Sequence, residues 1–428
     1  SENYLKRHIL MSVKITTREN GLRIATDPMG DLQTAAVGVW VDVGARNEDA
    51  EQNGISHVLE HMAFKGTERR NALQIAEEIE AVGGHLNAYT SREQTAYFAR
   101  ILKDDLPLAV DILADILQHS TFATEELERE RTVIIQEIGQ TKDTPDDLVF
   151  EYFQQAAYPD QPLGRSILGT EEKVAGFARA TLRDYMGSHY RGPGMVLAAA
   201  GGVDHDQLVD LATKAFDKLP SDRGHQLSKA QYQGGEHFEE RSLEQVHYLM
   251  GFEGLAYDDD DFYAAQILAT VLGGGMSSRL FQEIRERRGL AYSVFAFSSS
   301  YVDSGNFGVY AGTAQGDVEE LVPVLCDEIN RASQDINDQE TSRARAQHKA
   351  GIMMGLEAAG ARAEHLGRQL HVFGRVISPA ELVEEIDKVD AAALRRVATR
   401  IIKTPLTVAA LGPINKLEAQ NVTAGRFR

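Results

Sequence analysis

The alternation of apolar and polar residues along the chain predicts a mixture of strands and helices. Valines occupy every second position within residues 34–45, and this period of two indicates a strand. After an acidic turn, apolar residues recur at helical spacing from about Asn53 onward, which predicts a helix. Residues 83–102 predict paired strands after a glycine turn, and further helices are expected over 105–118 and 124–141.

The same order of elements recurs in the second half of the chain. Residues 246–275 repeat the strand, acidic turn and helix of residues 37–66 at a spacing of roughly 200 residues, which indicates a duplicated domain. Residues 221–238 contain several glycines and mixed charge without clear periodicity, as is typical of a linker. We therefore predict an α+β protein of two homologous α/β-sandwich domains, 11–220 and 239–428, each with an antiparallel-rich sheet packed against helices.

Composition narrows the class of protein. Of the 428 residues 43% are hydrophobic, which suffices for substantial cores, and 44 basic against 64 acidic residues give a net charge of −20. This charge disfavours a nucleic-acid surface, and no apolar run approaches the ~18–20 residues of a membrane span, so we expect a soluble protein. Met11 begins a natural-looking start, and residues 1–10 are interpreted as an expression remnant or a processed leader.

Candidate chemistry is concentrated in the sequence HVLEH at residues 57–61. Cys326 is the single cysteine, so any metal has to be held by histidines and carboxylates. His57 and His61 are four residues apart, and on a helix they project from one face and can coordinate one zinc ion. Glu60 lies beside them, where it can take a proton from a metal-bound water.

A catalytic zinc usually has three protein ligands, and the predicted helix at 124–141 offers two carboxylates for the third position. Glu130 and Glu137 are seven residues apart and share a helix face, and the apolar residues around them indicate that the helix packs inward. Both remain candidates on this reasoning. When the two halves are aligned on their acidic turns, the second half lacks the polar set of the HVLEH stretch, having Gln266, Ala269 and Thr270 instead. This contrast favours a functional role in the first half.

The HxxEH motif, followed 76 residues after its second histidine by a glutamate in the setting ERERTVIIQE, resembles the pitrilysin and mitochondrial processing peptidase family. The similarity runs from about Met11 through the whole chain and is strongest to the processing peptidase β subunit and its bacterial relatives. It implies a Zn²⁺ cofactor bound by His57, His61 and Glu137. It also implies that Glu60 is the general base and that Glu130 is a supporting carboxylate near the zinc.

Two further stretches resemble substrate-handling elements of that family. Residues 85–98 resemble an edge strand to which an extended peptide adds as another strand, with Asn87 as the expected contact. Arg285 and Tyr292 resemble a pair that holds the scissile peptide and stabilises the developing oxyanion. Asp147 and Glu151 resemble an acidic pocket for an arginine of the substrate near the cleaved bond.

The sequence therefore predicts a zinc metalloendopeptidase that encloses peptides or unfolded, presequence-like segments between its domains. The resemblance implies pairing of two chains, as a homodimer or as a heterodimer with a related subunit, and no nucleic-acid or membrane partner is expected. The alternative is a non-catalytic or partner-dependent subunit of a peptidase heterodimer that binds extended peptides. The expected compartment is the bacterial cytoplasm, with the mitochondrial matrix as the alternative.

Overall fold

The computed structural model describes residues 12–30, 32–224 and 227–427, so residues 1–10 lie outside the described part of the chain. Strands and helices alternate throughout the described residues. The strands are β1 (Lys14–Thr17), β2 (Arg23–Pro28), β3 (Thr34–Val41), β4 (His85–Thr90), β5 (Thr95–Leu102), β6 (Met195–Gly201), β7 (Gly235–Glu240), β8 (Val246–Glu253), β9 (Ala291–Ser300), β10 (Gly305–Thr313) and β11 (Thr407–Gly412).

The helices are mostly amphipathic and surround the strands. They are α1 (Ile55–Met62), α2 (Ala72–Ala81), α3 (Leu106–Gln118), α4 (Thr124–Lys142), α5 (Pro145–Ala157), α6 (Glu171–Gly176), α7 (Arg179–His189), α8 (His205–Ala215), α9 (Phe262–Gly273), α10 (Val318–Asp335), α11 (Asp338–Gly355), α12 (Ala359–Phe373), α13 (Pro379–Lys388), α14 (Ala391–Ile401) and α15 (Gln420–Ala424). Residues 281–287 form a π-helical turn. No helix within the described ranges has the length and apolar character needed to cross a membrane.

The chain forms two compact units, and each unit consists of three segments. The first unit contains the described residues up to Ile138 together with those of Ser166–Ser228 and Met353–Ala380, and the remaining described segments form the second unit. The predicted linker at 221–238 divides the sequence into two halves, but the compact units do not follow this division. Residues 139–165 of the first half belong to the second unit, and residues 353–380 of the second half belong to the first unit. The reason is the packing of α5 and α12, because each covers the sheet that belongs to the other half.

The first unit is built on a six-stranded sheet in the order β1-β2-β6-β3-β5-β4. The β2/β6 pair is parallel and the other pairs are antiparallel. Inward-pointing valines of β3 pack with buried residues of α1, α3, α7 and α8 to form the main core. Helix α12, from the second half of the sequence, covers the opposite face at β2, β3 and β6.

Small residues let α12 approach that sheet face closely. Trp40, the single tryptophan, lies on the face of β3 opposite the main core, and it is only 2% exposed because α12 packs over it. A Cβ on Gly367 would come within 2.4 Å of the indole ring, so the close packing depends on glycine there. The helix is also fixed by a bond from the Arg362 guanidinium to the buried Asp27 carboxylate at 2.9 Å.

The second unit repeats this plan with a five-stranded sheet in the order β7-β11-β8-β10-β9. The β7/β11 pair is parallel and the rest are antiparallel. Its main core is formed with α9, α10 and α14, and α5 covers the opposite face through Val149, Phe153 and Ala157. Strand for strand, this order matches β2-β6-β3-β5-β4 of the first unit. The predicted fold class of two related α+β domains is thus confirmed.

Candidate metal centre

Helix α1 contains the HxxEH sequence and follows directly from the turn after β3. The helix begins after Gly54, whose φ of +98° is accessible mainly to glycine, and a Cβ there would lie 2.8 Å from the Leu168 carbonyl oxygen. This glycine fixes the angle at which the helix leaves the turn. The apolar side chains that anchor the helix in the core are Ile55, Val58, Leu59 and Met62.

A buried carboxylate caps the start of α1. Glu48 accepts hydrogen bonds from the backbone N–H groups of Gly54 at 2.7 Å and Ser56 at 2.9 Å, and from the Asn53 amide at 3.1 Å. A negative group at a helix N-terminus satisfies otherwise unpaired donors and is favoured by the helix dipole. Burial nevertheless raises the pKa of Glu48 to about 7. This contact fixes the register of the helix that holds the candidate ligands.

His57, His61 and Glu137 converge at one point. Their potential ligand atoms all lie within 4.8 Å of one another. Glu137 Oε2 is 3.6 Å from Nε2 of His57 and 3.5 Å from Nε2 of His61. Two ligand atoms that each lie about 2.1 Å from a tetrahedral ion are separated by about 3.4 Å, so these spacings fit ligands of a shared zinc. Two imidazoles and one carboxylate are also a donor set suited to catalytic zinc.

Glu130 supports the second histidine. Its Oε2 lies 3.0 Å from Nδ1 of His61, and its Oε1 lies 2.7 Å from Nζ of Lys65. A carboxylate that accepts the Nδ1 proton leaves Nε2 of His61 with a free lone pair facing Glu137, as a metal-binding imidazole requires. The structure thus brings both glutamates of α4 to the site in different positions, Glu137 beside the two Nε2 atoms and Glu130 behind His61.

Glu60 lies on α1 and accepts a hydrogen bond from a residue of the sheet. The hydroxyl of Thr90, at the end of β4, donates to Glu60 Oε2 at 2.6 Å. Burial raises the pKa of Glu60 and opposes the lowering effect of this bond. A carboxylate with a raised pKa is a stronger base when ionised, which suits a group that takes up a proton and returns it.

The ionisable side chains at the site shift one another's pKa. Burial lowers the pKa of His57, and the neighbouring His61 adds to this effect. Burial also opposes charging of His61, but its bonds to Glu130 and Glu137 outweigh burial and raise its pKa. Burial opposes ionisation of Glu130, but its bonds to His61 and Lys65 lower its pKa. The bond to His61 and the neighbouring His57 lower the pKa of Glu137. The ionised Glu137 at this point, with the ionised Glu130 behind His61, would favour a divalent cation there.

Asn87 lies on β4, the edge strand of the first sheet, and its side chain is exposed. Its Oδ1 accepts a hydrogen bond from the N–H of the next residue, Ala88, at 2.8 Å. The strand pairs with β5 along one side, so its other side is the edge to which a peptide strand would add. The location fits the expected contact for an extended peptide.

The remaining predicted residues belong to the second unit. The Arg285 guanidinium lies 4.3 Å from the centroid of the Tyr292 ring and donates to the Tyr292 carbonyl oxygen at 3.1 Å. Tyr292 is 76% exposed, so this stacked pair faces solvent. Asp147 and Glu151 lie one turn apart on α5, with Asp147 exposed.

Sequence reasoning missed three groups that hold the site together: Glu48, Lys65 and Thr90. The side of β4 on which Thr90 lies follows from strand alternation, since Leu86 and Ala88 on that side pack against the core. This signal could have placed Thr90 near α1. An acidic residue in a polar turn offers no comparable signal, and the capping role of Glu48 is visible only in three dimensions.

Comparison with known proteins identifies the family. The model for "Insulinase (Peptidase family M16)" matches residues 23–171, and the model for "Peptidase M16 inactive domain" matches residues 176–348. The chain belongs to peptidase family M16. The match of the second half to an inactive domain agrees with its lack of the HxxEH residues. This result confirms the resemblance to the pitrilysin and processing peptidase group.

Relatives in family M16 cover nearly the whole chain. An "Uncharacterized zinc protease" of Rickettsia bellii is 42% identical over 94% of this chain and 98% of its own length. The human mitochondrial-processing peptidase subunit beta is 39% identical over 94% of this chain and 85% of its own length. A crystal structure of a Helicobacter pylori protease superimposes with a TM-score of 0.87 at 23% identity, covering 94% of this chain and all of that one, which supports the fold.

Proposed function

We propose that the chain is a zinc-dependent metalloendopeptidase that cleaves extended or unfolded peptide segments. The observation that supports this most directly is the convergence of His57, His61 and Glu137 with spacings that suit one tetrahedral ion. Relatives named zinc proteases make zinc the expected metal.

In this proposal His57, His61 and Glu137 hold the zinc, and Glu130 keeps the Nδ1 proton on His61. When bound, the zinc would polarise the scissile carbonyl and acidify the attacking water. Glu60 takes the proton from that water and returns it to the departing amine, while Thr90 fixes the orientation of its carboxylate. Each of these side chains then has a separate task.

In this proposal the substrate binds to the edge strand β4. An extended peptide adds to β4 through backbone hydrogen bonds, with Asn87 as one side-chain contact, so affinity depends little on sequence. Asp147 and Glu151 provide a pocket for a basic side chain. Arg285 and Tyr292 hold the scissile peptide and stabilise its developing oxyanion.

A pair of related chains is the proposed assembly, either two copies or one copy with a homologous subunit. The mitochondrial relatives are named as β subunits, and this name supports the heterodimer of the two assemblies. Multi-angle light scattering distinguishes a 47.1 kDa monomer from a dimer of this chain. If the purified chain is a monomer without activity, a partner-dependent or non-catalytic subunit becomes the better description.

The bacterial cytoplasm is the proposed compartment, and the mitochondrial matrix is the alternative. Relatives occur both in bacteria such as Rickettsia bellii and in mitochondrial processing peptidases. Cell fractionation with an antibody against the chain decides between them.

The decisive experiment measures zinc per chain and cleavage of a quenched fluorescent peptide for the wild type and Glu60→Gln. We expect about one zinc in both proteins and a loss of roughly 10²- to 10⁴-fold in kcat for the variant, because only the base is removed. Glu77→Gln, an exposed glutamate on α2, is the matched control and should cleave normally. Zinc-free wild-type protein that cannot be reconstituted would overturn the proposal.

A further inference from the structure

Helix α12 makes a polar contact with the edge strand that the proposed chemistry does not use. The Glu364 carboxylate accepts two hydrogen bonds, from the Tyr89 hydroxyl at 2.5 Å and from the Trp40 indole N–H at 2.9 Å. The Tyr89 oxygen also accepts from the Gln94 amide at 2.8 Å. All four residues belong to the first unit, although Glu364 comes from the second half of the sequence.

This contact and the Glu60 contact lie on opposite faces of β4. Side chains alternate along a strand, so the adjacent residues Tyr89 and Thr90 point to opposite sides of the sheet. Thr90 binds Glu60 on the face covered by α1, and Tyr89 binds Glu364 on the face where α12 lies. The end of β4 nearest the candidate base is therefore fixed from both sides.

The Glu364 contact is buried enough to be strong. The Trp40 side chain is almost fully buried, and burial together with the Glu364 carboxylate raises the pKa of Tyr89, so its hydroxyl remains a donor. Hydrogen bonds to a charged group are stronger than bonds between neutral groups. An edge strand is otherwise paired on one side alone and opens easily.

We propose that Glu364 is a positioning residue that holds Tyr89, and through it β4, so that the peptide-binding edge and the Thr90–Glu60 contact keep one common geometry. The proposal rests on the proposed function for its effect on cleavage. Its structural part, the fixing of β4, stands independently of whether the chain is a peptidase.

A purely structural role for Glu364 would be to fasten α12 to the sheet. The bond between Arg362 and Asp27 fastens the same end of the same helix without touching β4. Arg362→Gln is therefore the matched control, because it weakens the docking of α12 and leaves Tyr89 in place. Glu364→Gln is the conservative variant, since its amide can accept from Trp40 and donate to the Tyr89 oxygen.

The test measures amide hydrogen exchange of residues 85–90 in zinc-loaded protein for Glu364→Ala, Glu364→Gln, Tyr89→Phe and Arg362→Gln. We expect exchange roughly tenfold faster or more in Glu364→Ala and Tyr89→Phe, because each loses a charge-assisted bond. Exchange should be near the wild-type rate in Arg362→Gln and intermediate in Glu364→Gln, whose amide keeps both contacts without the charge. In Tyr89→Phe and Arg362→Gln, which keep the bond from Trp40 to Glu364, tryptophan emission reports whether α12 remains docked.

Unchanged exchange in Glu364→Ala, or an equal increase in Arg362→Gln, would overturn the proposal. If Glu364→Ala fails to fold, Tyr89→Phe alone decides, because it deletes one hydroxyl and leaves the Trp40 bond intact. Kinetics of the same proteins should show a raised KM and a lowered kcat for Glu364→Ala, with partial recovery in Glu364→Gln. If the wild type cleaves no peptide, the proposed function fails while the exchange result still judges the role of Glu364.

Discussion

Replacement of Glu130 by glutamine should weaken zinc binding without removing a ligand. In the structure its two oxygens have different partners, Nδ1 of His61 at 3.0 Å and Nζ of Lys65 at 2.7 Å. Glutamine has nearly the same shape but only one acceptor oxygen. If that oxygen faces His61, the amide NH₂ group opposes the Lys65 ammonium, and both groups are donors. If the NH₂ group faces His61, it forces the other tautomer and places a proton on the Nε2 atom that faces Glu137.

Either orientation makes His61 a poorer ligand. Loss of a carboxylate that orients a metal-binding histidine typically costs about 10- to 100-fold in metal affinity, which corresponds to ~1.4–2.7 kcal/mol. We expect a decrease of this size in a zinc titration against a competing chelator. At saturating zinc, kcat should fall less than the affinity does, because Glu60 and Thr90 are unchanged.

Glu128→Gln is the control for this experiment, since Glu128 is exposed on the same helix two residues earlier. Both variants lose one negative charge, so a difference between them separates the local contact from a general change of charge. Equal zinc affinity in wild type and Glu130→Gln would refute the reasoning that Glu130 orients His61.

Three further predictions concern stability, each measured by urea unfolding. Gly367→Ala should cost about 1–3 kcal/mol and shift the Trp40 emission, because the added methyl group overlaps the indole, whereas Gly360→Ala should be tolerated. The pKa of Glu48 is raised to about 7 in the fold, above the unfolded value, so its contribution to stability is complete below about pH 4.3 and is lost as the pH rises through 7. Glu48→Gln should remove that dependence, so its stability relative to wild type should rise by roughly 2–3 kcal/mol from pH 5 to pH 8, on top of a pH-independent loss because glutamine has one acceptor oxygen where Glu48 uses two; parallel curves would contradict this. Asp115→Asn should cost about 3–5 kcal/mol, because this fully buried carboxylate binds two arginines and the Thr67 hydroxyl, and a loss below 1 kcal/mol would show that the network is dispensable.

Much of the candidate site was predictable because its chemistry is local. The spacing of His57 and His61 on one helix face is a property of α1 alone, and the family resemblance supplied Glu137 across 76 residues. Strand β3 is shorter than the alternating pattern over residues 34–45 indicates, because the chain leaves the sheet after Val41 and enters short helical turns. The helix at 124–141 was predicted within one residue of its observed end, Lys142.

The exchange of α5 and α12 could not be predicted from periodicity. An amphipathic pattern shows that a helix has an apolar face, but it does not show which sheet that face will cover. The small residues of α12 that fit over Trp40 pack against a sheet from the other half of the sequence. For the same reason Glu364 gave no signal, since its two partners are about 275 and 324 residues away along the chain.

The placement of α12 has a consequence for the order in which the protein can be completed during synthesis. The first unit, with all three candidate zinc ligands, lacks its outer helix until residues 353–380 have left the ribosome. At roughly 5–20 residues per second, translation of residues 229–352 alone takes about 6–25 s. During this interval α12 is not available to pack over Trp40 and the small residues around it, and the Glu364 contact to Tyr89 has not formed. The nascent chain thus reaches a finished zinc-site unit only when most of its second half has been made.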